Sequence, residues 1–401
     1  MIDIIKYFLL VTNGIILVYF AFSSMYFIVF AAASLFYKET CLVDSSNKSR
    51  KISLLIPAYK EDNVIVETAI AAVKHKSEKH IVEVFVIADS LQLKTLENLK
   101  QTGAKVIPVS FEKSTKAKSM NVALNQIPDD SDVVVIIDAD NIMAEGFIDK
   151  LMDRMNQGFQ VVQGHRTAKN DNTQFAVLDG ISEEINNNIF RKGHRTLGLS
   201  SAIIGSGFAA ETLLFKEIMQ NITATGGFDK ELEMGLLARK VTVEYADEAI
   251  IYDEKVQKSD VFVNQRRRWL SAQFIFFAKN IRKALIELFK HRNFGFLDKT
   301  IQFILSPRII ALGVTFLMSL FHLVAFLLFS IPVLKILFLA WTTIFLIATV
   351  AVIISIPRNM LSYNLLKSML AAPKGFILMI KALLNLKGAD KQFIHTDHGI
   401  Q

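Results

Sequence analysis

The 401-residue chain has a single cysteine, Cys41, so an intramolecular disulfide and a metal cluster built from cysteine thiolates are both excluded. No G-x-G-x-x-G fingerprint follows the first predicted strand, and the chain has no Walker lysine loop. Dinucleotide-binding and P-loop functions therefore lose their main sequence support. Internal repeats and low-complexity tracts are also absent from the sequence.

The chain is short of charge and rich in apolar side chains. Hydrophobic residues make up 52% of it and the mean hydropathy is +0.35, which is high for a soluble enzyme and predicts membrane segments. The formal net charge is +7, and the excess cations adjoin the apolar segments. This distribution favours an anionic lipid surface as a partner and disfavours nucleic acid.

Three apolar segments are long enough to cross a membrane, which takes about 20 residues in a helix. They cover residues 7–37, 309–331 and 336–356. Pro332 ends the second segment, and the short link makes the second and third a hairpin. The first segment is too long for the apolar part of a cleaved signal peptide, and no A-x-A site closes it.

Basic residues predict the orientation of the chain in the membrane. Lys38, Lys48, Arg50 and Lys51 follow the first apolar segment, whereas Lys6 alone precedes it. By the positive-inside rule, the N-terminus lies outside and the residues after the segment lie in the cytoplasm. We therefore expect a multi-pass protein of the inner (cytoplasmic) membrane with its soluble part in the cytoplasm.

Between the first and second apolar segments, predicted strands and helices alternate with short connections. This pattern predicts an α/β domain with a parallel, Rossmann-like sheet. The predicted strands cover residues 52–59, 82–89, 104–109, 133–140 and 159–166, and two further short strands lie within 241–254.

The most informative strand is VVVIIDAD at residues 133–140. Five β-branched apolar residues in a row are typical of a strand buried on both faces, and the strand ends on Asp138 and Asp140. The carboxyl ends of parallel strands border the ligand crevice, where Asp89 also ends a strand. Paired carboxylates there suit a divalent cation that holds phosphate oxygens, although such a pair can also simply cap the next helix.

Several motifs in order resemble those of the membrane-embedded family 2 glycosyltransferases, which include cellulose, hyaluronan and chitin synthases. The resemblance covers residues 50–300 in motifs and the flanking spans in layout. The motifs are IPAYKE at 56–61, Asp89 after a strand, KAKSMN at 116–121, DAD at 138–140, FDKELEM at 228–234 and QRRRW at 265–269.

The resemblance implies a GT-A catalytic domain and five parts of the chain. They are an N-terminal transmembrane helix (1–40), the GT-A domain (50–258), an interfacial helix region containing QRRRW (259–300), a transmembrane hairpin (303–357), and an interfacial helix with a C-terminal tail (358–401). The interfacial assignments also follow from basic and aromatic residues at helical spacing.

The implied function is an inverting, metal-dependent transfer of a sugar from a UDP-sugar to a growing polysaccharide at the cytoplasmic membrane face. Three spans are few for a closed polymer channel, so a partner subunit or an oligomer would complete it. Two alternatives stay open. One is the transfer of a single sugar to a lipid acceptor, and the other is a catalytically inactive membrane scaffold or sugar-nucleotide sensor.

The resemblance also implies roles for individual residues. Asp138 and Asp140 match the D-x-D pair that holds uridine diphosphate with Mg²⁺ or Mn²⁺, and Lys116 would sit beside the nucleoside pocket. Arg268 would neutralise the leaving diphosphate, and Trp269 would stack on the acceptor sugar. The other nucleotide-sugar contacts implied are Pro57, Tyr59, Glu61, Asp89 and Gln265.

One departure from the family pattern concerns the general base. In the family, the base is the Asp of a Glu-Asp pair. Here Lys230 and Glu231 align with that pair, so Glu231 is the expected base, unless Asp229 takes the role. Either carboxylate can accept a hydroxyl proton within hydrogen-bond reach. An acid at this place can alternatively serve only to start a helix.

Other residues give weaker indications. Gln163, Gly205 and Ser206 are candidate acceptor contacts, but plain turn chemistry is an equal alternative. Arg266 and Arg267 are expected to face lipid. His395 and His398 are spaced like a pair of metal ligands, but a solvated tail is favoured over a flap that closes on the site.

Overall fold

The computed structural model describes residues 2–38, 48–224, 226–255 and 259–386. Cys41, Lys387, His395 and His398 lie outside the described residues, so the expectations for them stay untested.

The centre of the molecule is a mixed sheet whose strands run in the order β3-β2-β1-β4-β7-β6-β8-β5. The strands of the described residues are β1 (Lys51–Tyr59), β2 (Ile81–Asp89), β3 (Lys105–Val109), β4 (Val133–Ile136), β5 (Ile142–Met143), β6 (Val161–Ala168), β7 (Phe208–Glu211) and β8 (Val243–Asp253).

The first four strands of this order are mutually parallel, as predicted from the alternation of strands and helices. The sheet as a whole is not parallel, because β7 runs antiparallel between β4 and β6, and β5 runs antiparallel to β8. The α/β prediction is confirmed, and its purely parallel form is wrong for the second half of the sheet.

Two predicted strand boundaries are also wrong. The two short strands expected within residues 241–254 form one strand, β8, which pairs with β6 through a register shift between Gly164 and His165. The strand expected at 133–140 ends at Ile136. There the chain enters a turn in which the side chain of Asn141 accepts the backbone N–H of Asp138 at 3.2 Å, so Asp138 and Asp140 leave the sheet.

Helices cover both faces of the sheet and continue into the apolar segments. Their bounds are α1 (Ile2–Ser34), α2 (Ile65–Lys74), α3 (Leu93–Lys100), α4 (Lys116–Leu124), α5 (Phe147–Met155), α6 (Gln174–Asn186), a π-helix (Asn187–Gly193), α7 (His194–Thr196), α8 (Thr212–Met219), α9 (Phe228–Ala238), α10 (Ser259–His291), α11 (Phe294–Gln302), α12 (Arg308–Phe329), α13 (Pro332–Ile354), a 3₁₀ turn (Arg358–Met360), α14 (Tyr363–Met369) and α15 (Ala372–Leu384).

The two faces of the sheet carry separate hydrophobic cores because successive side chains of a strand point to opposite faces. Leu54 and Val135 belong to the core that includes Leu151 of α5. Leu55 belongs to the other core, which includes Met120 of α4. A strand buried on both sides needs the continuous apolar run that the sequence shows.

Among the described residues, three helices are long and apolar enough to cross a membrane, at Leu10–Ser34, Arg308–Phe329 and Pro332–Ile354. They correspond to the three predicted segments, and Pro332 lies at the start of the third helix. Side chains fill the space between them. Trp341 is fully buried, and its indole N–H donates to Asn13 Oδ1 at 3.1 Å.

The long helix α10 connects the α/β domain to the apolar helices. Leu270 packs with Phe20 of α1, and Phe276 packs with Met234 of α9. Pro373 occupies the first turn of α15, where its missing N–H costs no hydrogen bond.

Candidate active site

One cavity of about 660 Å³ opens at the carboxyl ends of β1 and β2, against the start of α9 and the middle of α10. It gathers most of the residues that the sequence suggested. These are Pro57, Tyr59, Glu61, Asp89, Lys116, Asp138, Asp140, Gly205, Asp229, Glu231, Gln265, Arg268 and Trp269. They come from positions more than 200 residues apart in the chain, and the sheet and α10 bring them around one cavity.

The turn that carries the two acids is held by Asn141, a residue that the sequence analysis did not single out. Besides accepting from Asp138, its side chain donates to Asp253 Oδ1 at 3.0 Å and accepts from the Ser206 hydroxyl at 2.9 Å. Asp140 Oδ2 accepts the backbone N–H of Glu254 at 3.1 Å. Asp140 is buried, whereas the side chain of Asp138 is 32% exposed to the cavity.

Lys116 provides a cation beside these acids. It starts α4, whose first turn is capped by the Thr115 hydroxyl. Its ammonium group forms an ion pair with Asp138 and donates to the Gly205 carbonyl at 2.8 Å. The same ammonium lies 5.1 Å from the ring centroid of Phe228, the first residue of α9. Lys116 thus connects the turn of Asp138 and Asp140, the turn at Gly205 and the start of α9.

The donor set of this turn fits a divalent cation that is shared with a substrate. Asp138 and Asp140 offer hard carboxylate oxygens at the mouth of a cavity, and Mg²⁺ is usually held by one or two carboxylates together with substrate phosphates. In the described part of the chain, no group of three or more His, Cys, Asp or Glu side chains is arranged to hold a metal by itself. A cation here would therefore need oxygens from a bound ligand.

Asp89 forms the buried floor of the cavity. Its carboxylate accepts hydrogen bonds from the hydroxyls of Ser90 and Ser114, both at 3.0 Å, and of Ser119 at 3.1 Å. Three neutral donors satisfy the buried carboxylate and fix the loop that leads into α4. Asp89 can therefore position this loop as well as face a ligand.

The first turn of α9 presents two acids with different surroundings. Glu231 Oε2 accepts the backbone N–H groups of Thr223 and Ala224, at 3.0 and 2.8 Å, and Oε1 accepts from Lys279 at 2.8 Å. Burial raises the pKa of Glu231, but these donors outweigh it and the net pKa is lowered. Asp229 has a looser contact, 3.7 Å to the adjacent Lys230.

A third acid of α9, Glu233, also lines the cavity. It is 2% exposed and forms an ion pair with Lys299 of α11 at 2.7 Å. Burial is the main cause that raises the pKa of Glu233 above its ordinary value. The sequence analysis used this residue only to align the segment and did not consider it for the site.

On α10, Gln265, Arg268 and Trp269 share one face because they are three and four residues apart. All three line the cavity, and burial lowers the pKa of Arg268. The indole of Trp269 is 38% exposed. This helix therefore lines part of the same cavity as the acid turn.

The prediction that Arg266 faces lipid is wrong. Its side chain is 13% exposed and forms an ion pair with Asp179 of α6. A guanidinium so far from water needs a partner charge, and the neighbouring wall of the cavity supplies it.

Two candidate acceptor residues lie outside the cavity wall. Gln163 is fully buried, and its amide donates to the carbonyls of Ser206 and Gly207, both at 3.0 Å. Ser206 is also fully buried, and its hydroxyl donates a hydrogen bond to Asn141 Oδ1. Their observed contacts are turn chemistry, the alternative that the sequence left open. Gly205 does line the cavity, and its φ of +78° is a conformation that favours glycine.

A buried ion cluster that lines the cavity was missed. Arg166 lies 3.1 Å from Glu183 and 3.6 Å from Asp253, and Lys255 lies 2.8 Å from Asp253. Burial raises the pKa of Glu183, but the surrounding cations outweigh it and hold the pKa well below its usual range. Arg166 and Asp253 each lie near the carboxyl end of a strand, and this signal could have identified them.

Comparison with known families and structures gives an independent result. Residues 49–272 match the family model described as glycosyltransferase like family 2. A mannosyltransferase from Pyrobaculum calidifontis, solved with GDP-mannose and Mn²⁺, has a TM-score of 0.50 and 15% identity, covering 85% of this chain and 98% of that one.

A more distant similarity is to glucosyl-3-phosphoglycerate synthase from Mycobacterium tuberculosis, solved with Mn²⁺, UDP and phosphoglyceric acid. The TM-score is 0.38 at 18% identity, over 53% of this chain and 72% of that one. No curated protein sequence matches the chain.

Proposed function

This chain belongs to glycosyltransferase like family 2 and is a glycosyltransferase, and from that premise we propose that it transfers a sugar from a UDP-sugar with inversion and with a divalent cation. The acceptor would be presented at the cytoplasmic face of the membrane. The observation that carries the proposal is that one cavity joins the Asp138–Asp140 turn, the acids of α9 and the Gln265, Arg268 and Trp269 face of α10.

The donor half of the proposed site is the acid turn. Asp138 and Asp140 would hold Mg²⁺ or Mn²⁺, which when bound supplies positive charge to the diphosphate oxygens. The solved mannosyltransferase and glucosyl-3-phosphoglycerate synthase both contain Mn²⁺, which supports this choice of cation. The nucleoside would lie against Pro57, Tyr59, Glu61 and Asp89.

The leaving group needs positive charge as the bond to the anomeric carbon breaks. Lys116 already pairs with Asp138, and Arg268 faces the cavity from α10. These two side chains would stabilise the charge that develops on the diphosphate. The acceptor oxygen would form its bond to the anomeric carbon as the diphosphate leaves, so one displacement inverts that centre.

The proposed base is Asp229. Both oxygens of Glu231 are engaged with backbone and Lys279 donors, and these donors lower its pKa, which weakens it as a base. Asp229 contacts only the neighbouring Lys230 among the ion pairs of the described residues. The side chain of Asp229 also borders Gly205, whose carbonyl accepts from Lys116. Asp229 is therefore the base that we propose, in place of Glu231, which the alignment favoured.

We propose as the acceptor a lipid-linked molecule that receives one sugar. The three apolar helices pack around Trp341, Phe20 and Ile344, so a polymer would find no route between these helices as described. Extension of a polysaccharide is the second candidate, because the Gln265, Arg268 and Trp269 set resembles that of polymer-forming relatives. A partner subunit would then have to form the channel.

The experiment is a screen for UDP release by the purified full-length protein. UDP-glucose, UDP-galactose, UDP-N-acetylglucosamine and UDP-glucuronate are tested with Mg²⁺ or Mn²⁺, and GDP-mannose serves as the comparison donor. Release that disappears in Asp140→Ala supports the proposal. Absence of release from every donor would favour the inactive scaffold or sensor, and GDP-mannose as the best donor would contradict the UDP assignment.

A further inference from the structure

The indole of Trp269 has one face covered from within its own helix. The guanidinium carbon of Arg266 lies 4.3 Å from the centroid of the Trp269 ring and 4.9 Å from that of Phe262. Phe262, Arg266 and Trp269 are four and three residues apart, so they follow one another along a single face of α10. Distances below 6 Å are those of a cation–π contact.

Arg266 is itself anchored to a different wall of the cavity. It forms an ion pair with Asp179 of α6, and both side chains are nearly buried, at 13% and 11% exposure. Asp179 and Trp269 line the cavity, whereas Arg266 stands behind them. Because a guanidinium is planar and presents its donors in a rigid fork, the carboxylate fixes the plane of the group that covers the indole.

Further contacts surround the ion pair of Asp179 with Arg266. Phe262 packs against Phe175 of α6, with ring centroids 6.1 Å apart. The ammonium of Lys374, on α15, lies 5.4 Å from the Phe175 ring. The position of Trp269 is therefore determined by contacts from three helices and not by α10 alone.

We propose that Asp179 and Arg266 are positioning residues. They fix the orientation of the Trp269 ring and cover one of its faces, so that its other face is available to the acceptor sugar. The inference rests on the proposed function, since it assigns Trp269 to the acceptor. It adds that acceptor binding depends on a carboxylate in α6, far from the QRRRW segment in sequence.

The first test follows the fluorescence of Trp269 in the full-length protein. The chain has two tryptophans, and subtracting the spectrum of Trp269→Phe removes the signal of the buried Trp341. Acrylamide quenching of Trp269 should rise about twofold in Arg266→Lys, which keeps the charge but loses the planar cover. Asp179→Asn should also raise it, and Arg282→Lys, at an exposed position of the same helix, should not.

The second test separates the acceptor from the donor. With octyl β-D-glucoside as the acceptor probe, Arg266→Lys and Asp179→Asn should raise the acceptor KM about fivefold to tenfold. The donor KM and the release of UDP without acceptor should stay at the wild-type value. Equal losses in both reactions would overturn the proposal, because they would indicate a general structural role.

The two tests also distinguish this inference from the proposed function. Unchanged quenching in both variants would overturn the inference whatever the activity. A wild-type protein that releases no UDP would refute the proposed function, while the quenching result would still decide whether Asp179 and Arg266 position Trp269. If Arg266→Lys does not fold, Asp179→Asn, which changes a single group, carries the comparison.

Discussion

Asp229 and Glu231 lie two residues apart on α9, yet their carboxylates have different contacts. Glu231 closes the loop at Thr223 and Ala224, whereas Asp229 borders the glycine turn at Gly205. The alignment of the sequence favoured Glu231 as the base. Spacing in the sequence does not show which carboxylate oxygens already accept hydrogen bonds. We therefore propose that Glu231 holds the loop and that Asp229 accepts the proton.

This assignment predicts different losses in two matched variants. Asp229→Asn should lower sugar transfer by at least about 100-fold with little change in donor KM, because a general base contributes about 10²–10⁴ in rate. Glu231→Gln should lower transfer much less and should mainly lower the Tm. Steady-state kinetics and thermal unfolding of both variants give the answer, and the reverse ranking would restore Glu231 as the base.

His165 predicts a dependence of stability on pH. It lies between Asp247, at 2.8 Å, and Glu184, at 3.0 Å, while Lys192 pairs with Asp247 at 2.7 Å. Burial lowers the pKa of His165, but the hydrogen bonds to Asp247 and Glu184 outweigh it and raise the pKa to about 9. The folded pKa exceeds that of the unfolded chain, so the added stability is complete below about pH 6.5 and is lost as the pH rises through about 9.

The corresponding experiment compares wild type with His165→Gln from pH 6 to pH 10. The difference in the free energy of unfolding should be larger at pH 6 by about 2–3 kcal/mol and should shrink towards pH 10. His291→Gln changes an exposed histidine and should show no such trend. A constant difference across the range would mean that the pKa of His165 is the same in the folded and unfolded chains.

At the scale of elements, the contact of α1 with the π-helix joins the membrane part to the α/β domain. His194 stacks on Phe30 of α1, with ring centroids 3.8 Å apart and planes 8° apart. Gly193 lies against the backbone of the same residue, and a β-carbon there would meet the Phe30 carbonyl oxygen, with the carbonyl carbon at 2.9 Å. The sequence analysis predicted the apolar helix α1 but had no means to pair it with this segment.

Gly193→Ala should therefore separate the two elements. Backbone atoms cannot move aside as a flexible side chain can, and overpacking of this kind costs about 1–3 kcal/mol of stability. Gly14→Ala, in open space on α1, is the matched control and should leave the Tm unchanged or slightly raised. A wild-type Tm in Gly193→Ala would show that the contact with α1 is not tight.

At the scale of the whole molecule, we expect UDP release to depend on a divalent cation, because the Asp138–Asp140 turn offers carboxylate oxygens that suit one. Removal of divalent cations with EDTA should lower UDP release by about 100-fold or more, and Mg²⁺ or Mn²⁺ should restore it. Protein in Ca²⁺ alone is a useful control, because Ca²⁺ prefers longer bonds and more oxygen ligands. Undiminished release in EDTA would leave Lys116 and Arg268 as the sole stabilisers of the diphosphate.

The size of the product distinguishes the two candidate acceptors at the same scale. A lipid-linked acceptor receiving one sugar should give a single new band on a gel after long incubation with excess donor. A ladder of increasing length would instead support polymer extension and require a partner subunit or an oligomer for export. The packed centre of the three-helix bundle is the structural reason for expecting one band.

The sequence by itself determined the elements whose signal is local. Apolar runs of more than 20 residues, the continuous burial of β1 and β4, and the D-x-D turn after a buried strand all depend on neighbours in the chain. These features also defined the α/β class and the donor end of the site. Their physical basis is the preference of each short segment for a membrane, a sheet core or a turn.

Tertiary structure alone decided which distant groups meet. The antiparallel insertion of β7, the bulge that pairs Asp247 with His165, and the ion pair of Asp179 with Arg266 join residues far apart in sequence. A charged side chain at helical spacing looks equally suited to lipid, water or a buried partner, and only folding selects among them. Arg266 was expected at the membrane surface and is found behind Trp269, because the nearest carboxylate lies on another helix.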